Sequence, residues 1–115
     1  MDLDDMEAVR SILLDPRPEG IVCANDRTPG RLVRTLRRLA YLVARDVRLV
    51  GIDDVEYAVL LPSPLTTLRP PTRQIGEVAL AVMLRRIAQR ELPPSDARLS
   101  CELVIRESCG ARLAA

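Results

Sequence analysis

The sequence predicts an α/β fold, a layered and mainly parallel sheet flanked by helices. Three observations lead there. Segments with helical period alternate with short apolar runs, the pattern of successive βα units. Two of those runs, at 21–24 and 47–52, read as strands buried within a sheet. Each of them stops at a polar pair, Asn25-Asp26 in one case and Asp53-Asp54 in the other.

The elements follow in order. Met6, Val9, Ile12 and Leu13 fall on one face of a first helix, which Asp15-Pro16 stops. Residues 16–20 form a turn, and the strand at 21–24 comes next. Thr28 is placed to cap a second helix, with Pro29 suited to its first position. Leu32, Leu36, Leu39, Ala40 and Val43 make its apolar stripe, and Arg31, Arg34, Arg37 and Arg38 lie opposite, as a solvated or partner-facing surface. The strand at 47–52 leads into a short helical turn at 55–61, which Pro62 and Pro64 break. Residues 65–69 are extended, and Thr72 caps a long helix reaching about residue 90. The middle of that helix, 78–84, is apolar all round and calls for burial on more than one side. After a loop at 92–96, Leu99, Cys101, Leu103 and Ile105 alternate with Ser100, Glu102, Val104 and Arg106, a strand with one drier face.

Composition narrows the chemistry. The 115 residues suit one domain, with 48% hydrophobic and 29% charged residues. A net charge of +1 gives no bulk attraction to nucleic acid or membrane. All 17 basic residues are arginine, and histidine is absent, so no Ser-His-Asp or Cys-His machinery can be built. Phe and Trp are missing, which leaves Tyr41 and Tyr57 as a poor stacking platform. Three cysteines without C-x-x-C spacing imply neither a disulfide framework nor a zinc site, and Cys23 and Cys101 read as small buried residues. No cofactor or metal is expected. The acidic N-terminus lacks an apolar core, and the run at 78–84 is too short to span a bilayer, so the expected location is the cytoplasm, with no membrane partner.

In open α/β sheets, ligands bind outside the carboxyl ends of the strands. Two parallel neighbouring strands would bring both polar pairs to one rim. Asp26 and Asp54 are placed to cap the helices that follow them. Asn25 and Asp53 come one residue too early for that, and suit a neutral polyhydroxylated ligand: a carboxylate accepts two hydroxyl bonds, and an amide both donates and accepts. The competing reading is a Mg²⁺-dependent phosphoryl-transfer domain using Asp53 and Asp54. It ranks behind, because lysine and a glycine-rich phosphate loop are both missing.

Three stretches carry a resemblance: "IVCANDRT", "DVRLVGIDDVEYAVLLPSPLTTLRPPTRQIGEVA" and "ELVIRESCG". In order and spacing they resemble the C-terminal part of the LacI/GalR family of bacterial transcription repressors, over about residues 12–110. The resemblance implies a type I periplasmic-binding-protein-like effector domain of two α/β lobes around a cleft, and no enzyme activity. Residues 1–115 would be a partial effector-binding and dimerisation domain, the C-terminal lobe plus the crossover helix. Asn25 and Asp53 match the family's effector-contacting asparagine and aspartate, with a sugar-like effector implied. Arg31, Leu32 and Leu61 fall on elements that match its dimer interface. DNA would be contacted only through a domain outside this chain, as would the N-terminal lobe that normally covers 78–84. Left uncovered, that helix predicts a homodimer or a swapped oligomer. A solute-binding protein of the same fold is the alternative, set behind by the lack of an export signal. Departures from the family pattern include Ile52 for an aromatic, Ala40 and Arg31 for glycines, Ala44 for a proline, and Pro70 and Thr72 at ligand-facing positions.

Overall fold

A computed structural model describes residues 2–113. The elements are α1 (Met6–Leu14), β1 (Gly20–Val22), α2 (Arg27–Arg38), β2 (Arg48–Ile52), a 3₁₀ turn (Glu56–Val59), β3 (Thr66–Arg69), α3 (Thr72–Ala88) and β4 (Glu102–Val104). They fall into two compact units. One runs up to Arg69 and resumes at Leu103; the other is Pro70–Glu102.

The strand order in the sheet is β1-β2-β3-β4. β1 and β2 pair in parallel, Gly20 with Arg48 through Val22 with Val50, and β2 and β3 pair in parallel, Val50 with Thr66 through Ile52 with Leu68. This is the parallel sheet the alternating pattern predicts. The core gathers Leu49, Leu65 and Val47 from the sheet side, Leu32, Val33 and Leu36 from α2, and Val9 and Leu13 from α1. Asp5 starts α1 by accepting from the backbone N–H groups of Glu7 and Ala8. Thr35 ties the N-terminal segment to α2 through a 2.7 Å bond from its hydroxyl to the Leu3 carbonyl.

Several local expectations are corrected. β1 is an edge strand, and Val22 is 76% exposed, so 21–24 is not buried on both faces. Helix α2 begins at Arg27, which puts Pro29 third, still among the positions whose N–H has no intrahelical partner. The helix stops short of Ala40 and Val43. Ala40 turns left-handed at φ 62°, while its N–H bonds Arg37 O at 3.1 Å and Tyr41 N–H bonds Leu36 O at 2.9 Å, a Schellman closure. Only Glu102–Val104 of the alternating terminal segment forms a strand, and Cys101, Leu103 and Ile105 are exposed.

In the second unit α3 starts directly at Thr72, without a side-chain cap. None of its residues is buried, and Ile75, Leu80, Met83, Leu84 and Ile87 are 44–63% exposed. Ser95, Ala97 and Leu99 return along it to border a groove of about 810 Å³. Among the described residues no helix is long and apolar enough to cross a membrane.

Candidate functional site

Because β1 and β2 run parallel, their carboxyl ends share one edge. The Cys23 N–H bonds Val50 O at 2.8 Å, so the pairing continues past Val22. Asn25 follows the end of β1 by three residues, and Asp53 follows the end of β2 by one. The two residues singled out for a ligand therefore both lie beyond the carboxyl ends of adjacent parallel strands.

Their partners differ from expectation. Asn25, half-buried, caps α2: its Oδ1 accepts from the Thr28 N–H at 2.9 Å and from the Thr28 hydroxyl at 3.0 Å. Its amide nitrogen makes no hydrogen bond among the described residues and stays available as a donor. Asp26, expected to be the cap, makes no such bond. It is fully buried, with Oδ1 accepting from the Thr67 hydroxyl at 2.7 Å and Oδ2 from the Val55 N–H at 3.0 Å. It thereby ties the end of β1 to the turn after β2 and to β3. Gly51 makes room for it, since a Cβ there would lie 2.1 Å from Asp26 Oδ1.

Asp53 is exposed and adopts φ 114°, with its N–H bonded to Leu68 O at 2.9 Å. Its carboxylate has no hydrogen bond or ion pair among the described residues. Asp54 turns inward at φ 53° and caps nothing. Arg69 Nε reaches its Oδ2 at 2.6 Å, and Arg106 Nη2 reaches its Oδ1 at 2.6 Å. Burial pushes the Asp54 carboxyl upward, but the hydrogen bonds from Arg106 and Arg69 outweigh it and hold the group below the usual carboxylate range. Both Asp54 oxygens are engaged by guanidinium groups, so Asp53 and Asp54 do not form an open carboxylate pair for Mg²⁺. No group of three or more potential metal-ligating side chains comes together among the described residues. Cys23 is buried, and burial followed by the charge of Asp26 pushes its thiol up to about 11, which leaves it inert.

What the arrangement offers is a carboxylate and an amide N–H₂, neither engaged among the described residues, past the carboxyl ends of two adjacent parallel strands. Residues 1–109 match the periplasmic binding protein-like domain family. The chain belongs to that family. Among curated relatives, the ribose operon repressor of Escherichia coli (strain K12) is 32% identical over 103 residues, covering 89% of this chain and 31% of the repressor. The HTH-type transcriptional repressor PurR of Vibrio vulnificus (strain CMCP6) is 32% identical over 92 residues, covering 80% of this chain and 28% of PurR. The chain thus spans roughly a third of the length of these relatives. Among solved structures, the transcriptional regulator CelR–cellobiose complex superposes with a TM-score of 0.76 at 29% identity, covering 94% of this chain and 34% of CelR. A LacI family regulator from Enterococcus faecalis V583 with bound ribose gives 0.74 at 29% identity, covering 90% and 38%.

For a periplasmic binding protein-like domain, the terminal "VIRESCG" run proves to be scaffold. Ser108 is buried; its hydroxyl donates to Leu49 O at 2.6 Å and accepts from the Thr66 N–H at 2.8 Å. Arg106 donates to Leu65 O at 2.8 Å besides holding Asp54. Residue-by-residue reading missed both roles; the only signal was the motif itself. The interface candidates separate. Arg31 is exposed and pairs with Asp4 at 2.5 Å and Asp2 at 3.3 Å. Leu61 is half-buried beside α2. Leu32 is 4% exposed inside the core, so it packs within its own chain and is not a surface residue.

Proposed function

We propose that this chain is the effector-binding and dimerisation part of a LacI-type transcription regulator. The observation that carries the proposal is the Asp53 carboxylate, unpaired among the described residues and just past the carboxyl end of β2, with the Asn25 amide past the end of the parallel neighbour β1. The carboxylate accepts from two hydroxyls of a sugar-like effector, and the Asn25 N–H₂ donates to a third oxygen. Bound sugars in the structurally similar regulators support that choice of ligand class. DNA is contacted by a domain outside these residues, in the cytoplasm, and effector binding biases operator affinity through coupled conformations. The rim performs no reaction: it holds no nucleophile with an adjacent base. Dimerisation uses the outer side of α2 around Arg31 together with Leu61 and the exposed Val59 and Leu60 that precede it.

The test is a ¹⁵N-correlation titration of the chain with D-ribose and with cellobiose, alongside Asp53→Gly. Glycine accommodates the positive φ at this position, so the variant keeps or gains melting temperature while losing the carboxylate. Expected are shifts concentrated at 25–28 and 53–55 in the native chain and their loss in the variant. Rim resonances that ignore saturating sugar, or that respond equally in Asp53→Gly, would refute the proposal.

A further inference from the structure

Asp54 has no part in the effector contacts just proposed, yet it is held harder than a surface carboxylate needs to be. Its side chain is 8% exposed and that of Arg106 is 14% exposed. Two guanidinium groups, each at 2.6 Å, occupy its two oxygens. Such charge-assisted bonds gain strength where water is partly excluded. Arg106 is fixed in turn, its Nη1 on Leu65 O at 2.8 Å and its backbone N–H on the Thr66 hydroxyl at 2.9 Å. The arginines are therefore anchored to β3 at its start and its end.

The backbone around Asp54 is equally constrained. Upstream, the Asp53 N–H is bonded to Leu68 O at 2.9 Å, as a continuation of the β2–β3 ladder. Downstream, the Val55 N–H is bonded to buried Asp26 at 3.0 Å. The chain passes between these two fixed points within two residues. It does so with φ 114° at Asp53 and φ 53° at Asp54, conformations that non-glycine residues rarely adopt and keep only when their surroundings over-determine them. The clasp on the Asp54 side chain lies between those points, as does the 3.4 Å bond from the Asp54 N–H to the Thr67 hydroxyl.

We propose that Asp54 is a positioning residue: its two-arginine clasp holds Asp53 in the left-handed backbone that turns the Asp53 carboxylate outward onto the rim. Without the clasp, Asp53 relaxes toward the extended region, and its side chain turns away from the rim. This rests on the effector reading of Asp53 for its consequence, but not for its geometry.

The test separates the two. Asp54→Asn is isosteric and tolerates a positive φ, while its amide nitrogen cannot accept from a guanidinium. In the free protein, the three-bond amide–Hα coupling of Asp53 is expected to rise from the small value of its present φ toward the large value of extended chain. The dissociation constant for D-ribose is expected to rise roughly tenfold, in keeping with the loss of one well-placed hydrogen-bonding group. Arg106→Lys, which keeps the charge but not the planar fork, should move both readouts the same way to a lesser degree, and it carries the test if Asp54→Asn does not fold. Leu13→Ala, a remote core truncation, lowers the melting temperature and should leave both untouched. An Asp54→Asn protein that melts earlier with Asp53 coupling and ribose affinity unchanged would overturn the proposal and make Asp54 merely structural. A coupling change with no sugar binding even in the native chain would sink the effector reading and uphold the positioning role.

Discussion

Asp26 uses both carboxylate oxygens on groups brought to it from elsewhere in the chain, the Thr67 hydroxyl and the Val55 N–H. Removing the side chain orphans one buried and one half-buried donor, and each such loss costs about 1–3 kcal/mol. Asp26→Ala should therefore lower the unfolding free energy by roughly 2–4 kcal/mol in urea. Asp26→Asn should cost about 1 kcal/mol, because its oxygen can still accept from Val55 while the Thr67 hydroxyl rotates to accept from its nitrogen. Equal losses in the two variants would refute this division of labour. Gly51→Ala tests the same contact from the other side, since its Cβ would strike Asp26 Oδ1, and it should resemble Asp26→Ala. The sequence placed Asn25-Asp26 and Asp53-Asp54 after the ends of two strands, and β1 and β2 do end shortly before them. It did not show which member of the first pair caps α2. Asn and Asp are nearly equivalent caps. The choice is made by Thr67 and Val55, which reach Asp26 only once the register of three strands is set. Asp54 was misread for the same reason, since its arginines lie 15 and 52 positions away.

Helix α2 shows what periodicity can and cannot supply. The spacing of Leu32, Leu36 and Leu39 located the buried face, and Leu32 and Leu36 are in the core. The stripe runs on to Ala40 and Val43 in the sequence, because hydrophobic period carries no information on where the backbone leaves the helical region. The chain leaves it at Ala40, in the left-handed position that closes a Schellman motif and that glycine fills most easily. Ala40→Gly should relieve that strain and stabilise the first unit by about 0.5–1 kcal/mol, raising the melting temperature by a few degrees. The same exchange at Gly76, in the reverse direction, provides a contrast. A Cβ there meets open space, and Gly76→Ala inside α3 should stabilise through helix propensity alone. A lower melting temperature for Ala40→Gly would mean that the left-handed alanine is not strained. Alternation at 99–106 misled in a related way: it describes which side chains share a face, but a strand forms only where a neighbour supplies hydrogen bonds, and here that is Glu102–Val104.

At the scale of the molecule, the exposed apolar surface of α3 predicts behaviour in solution. Leu80, Met83, Leu84 and Ile87 recur at i, i+3, i+4 and i+7, and each is at least half exposed. Contiguous apolar surface of several hundred Å² is uncommon on monomers. A net charge of +1 sets almost no long-range repulsion against association. The isolated chain should therefore self-associate, with a weight-average mass in sedimentation that rises with concentration. Sodium sulfate should strengthen the association, as expected for apolar burial, whereas an assembly held by the exposed pairs of Arg31 and Arg34 with Asp2 and Asp4 would weaken with salt. Leu84→Glu combined with Ile87→Glu should lower the mass sharply. Leu60→Glu, beside the proposed α2 interface, should remove whatever association the α3 variant leaves. The two patches contribute separately if the triple variant is a monomer and each set alone is intermediate. A native chain that stays monomeric up to millimolar concentration would mean that the apolar face of α3 drives no assembly.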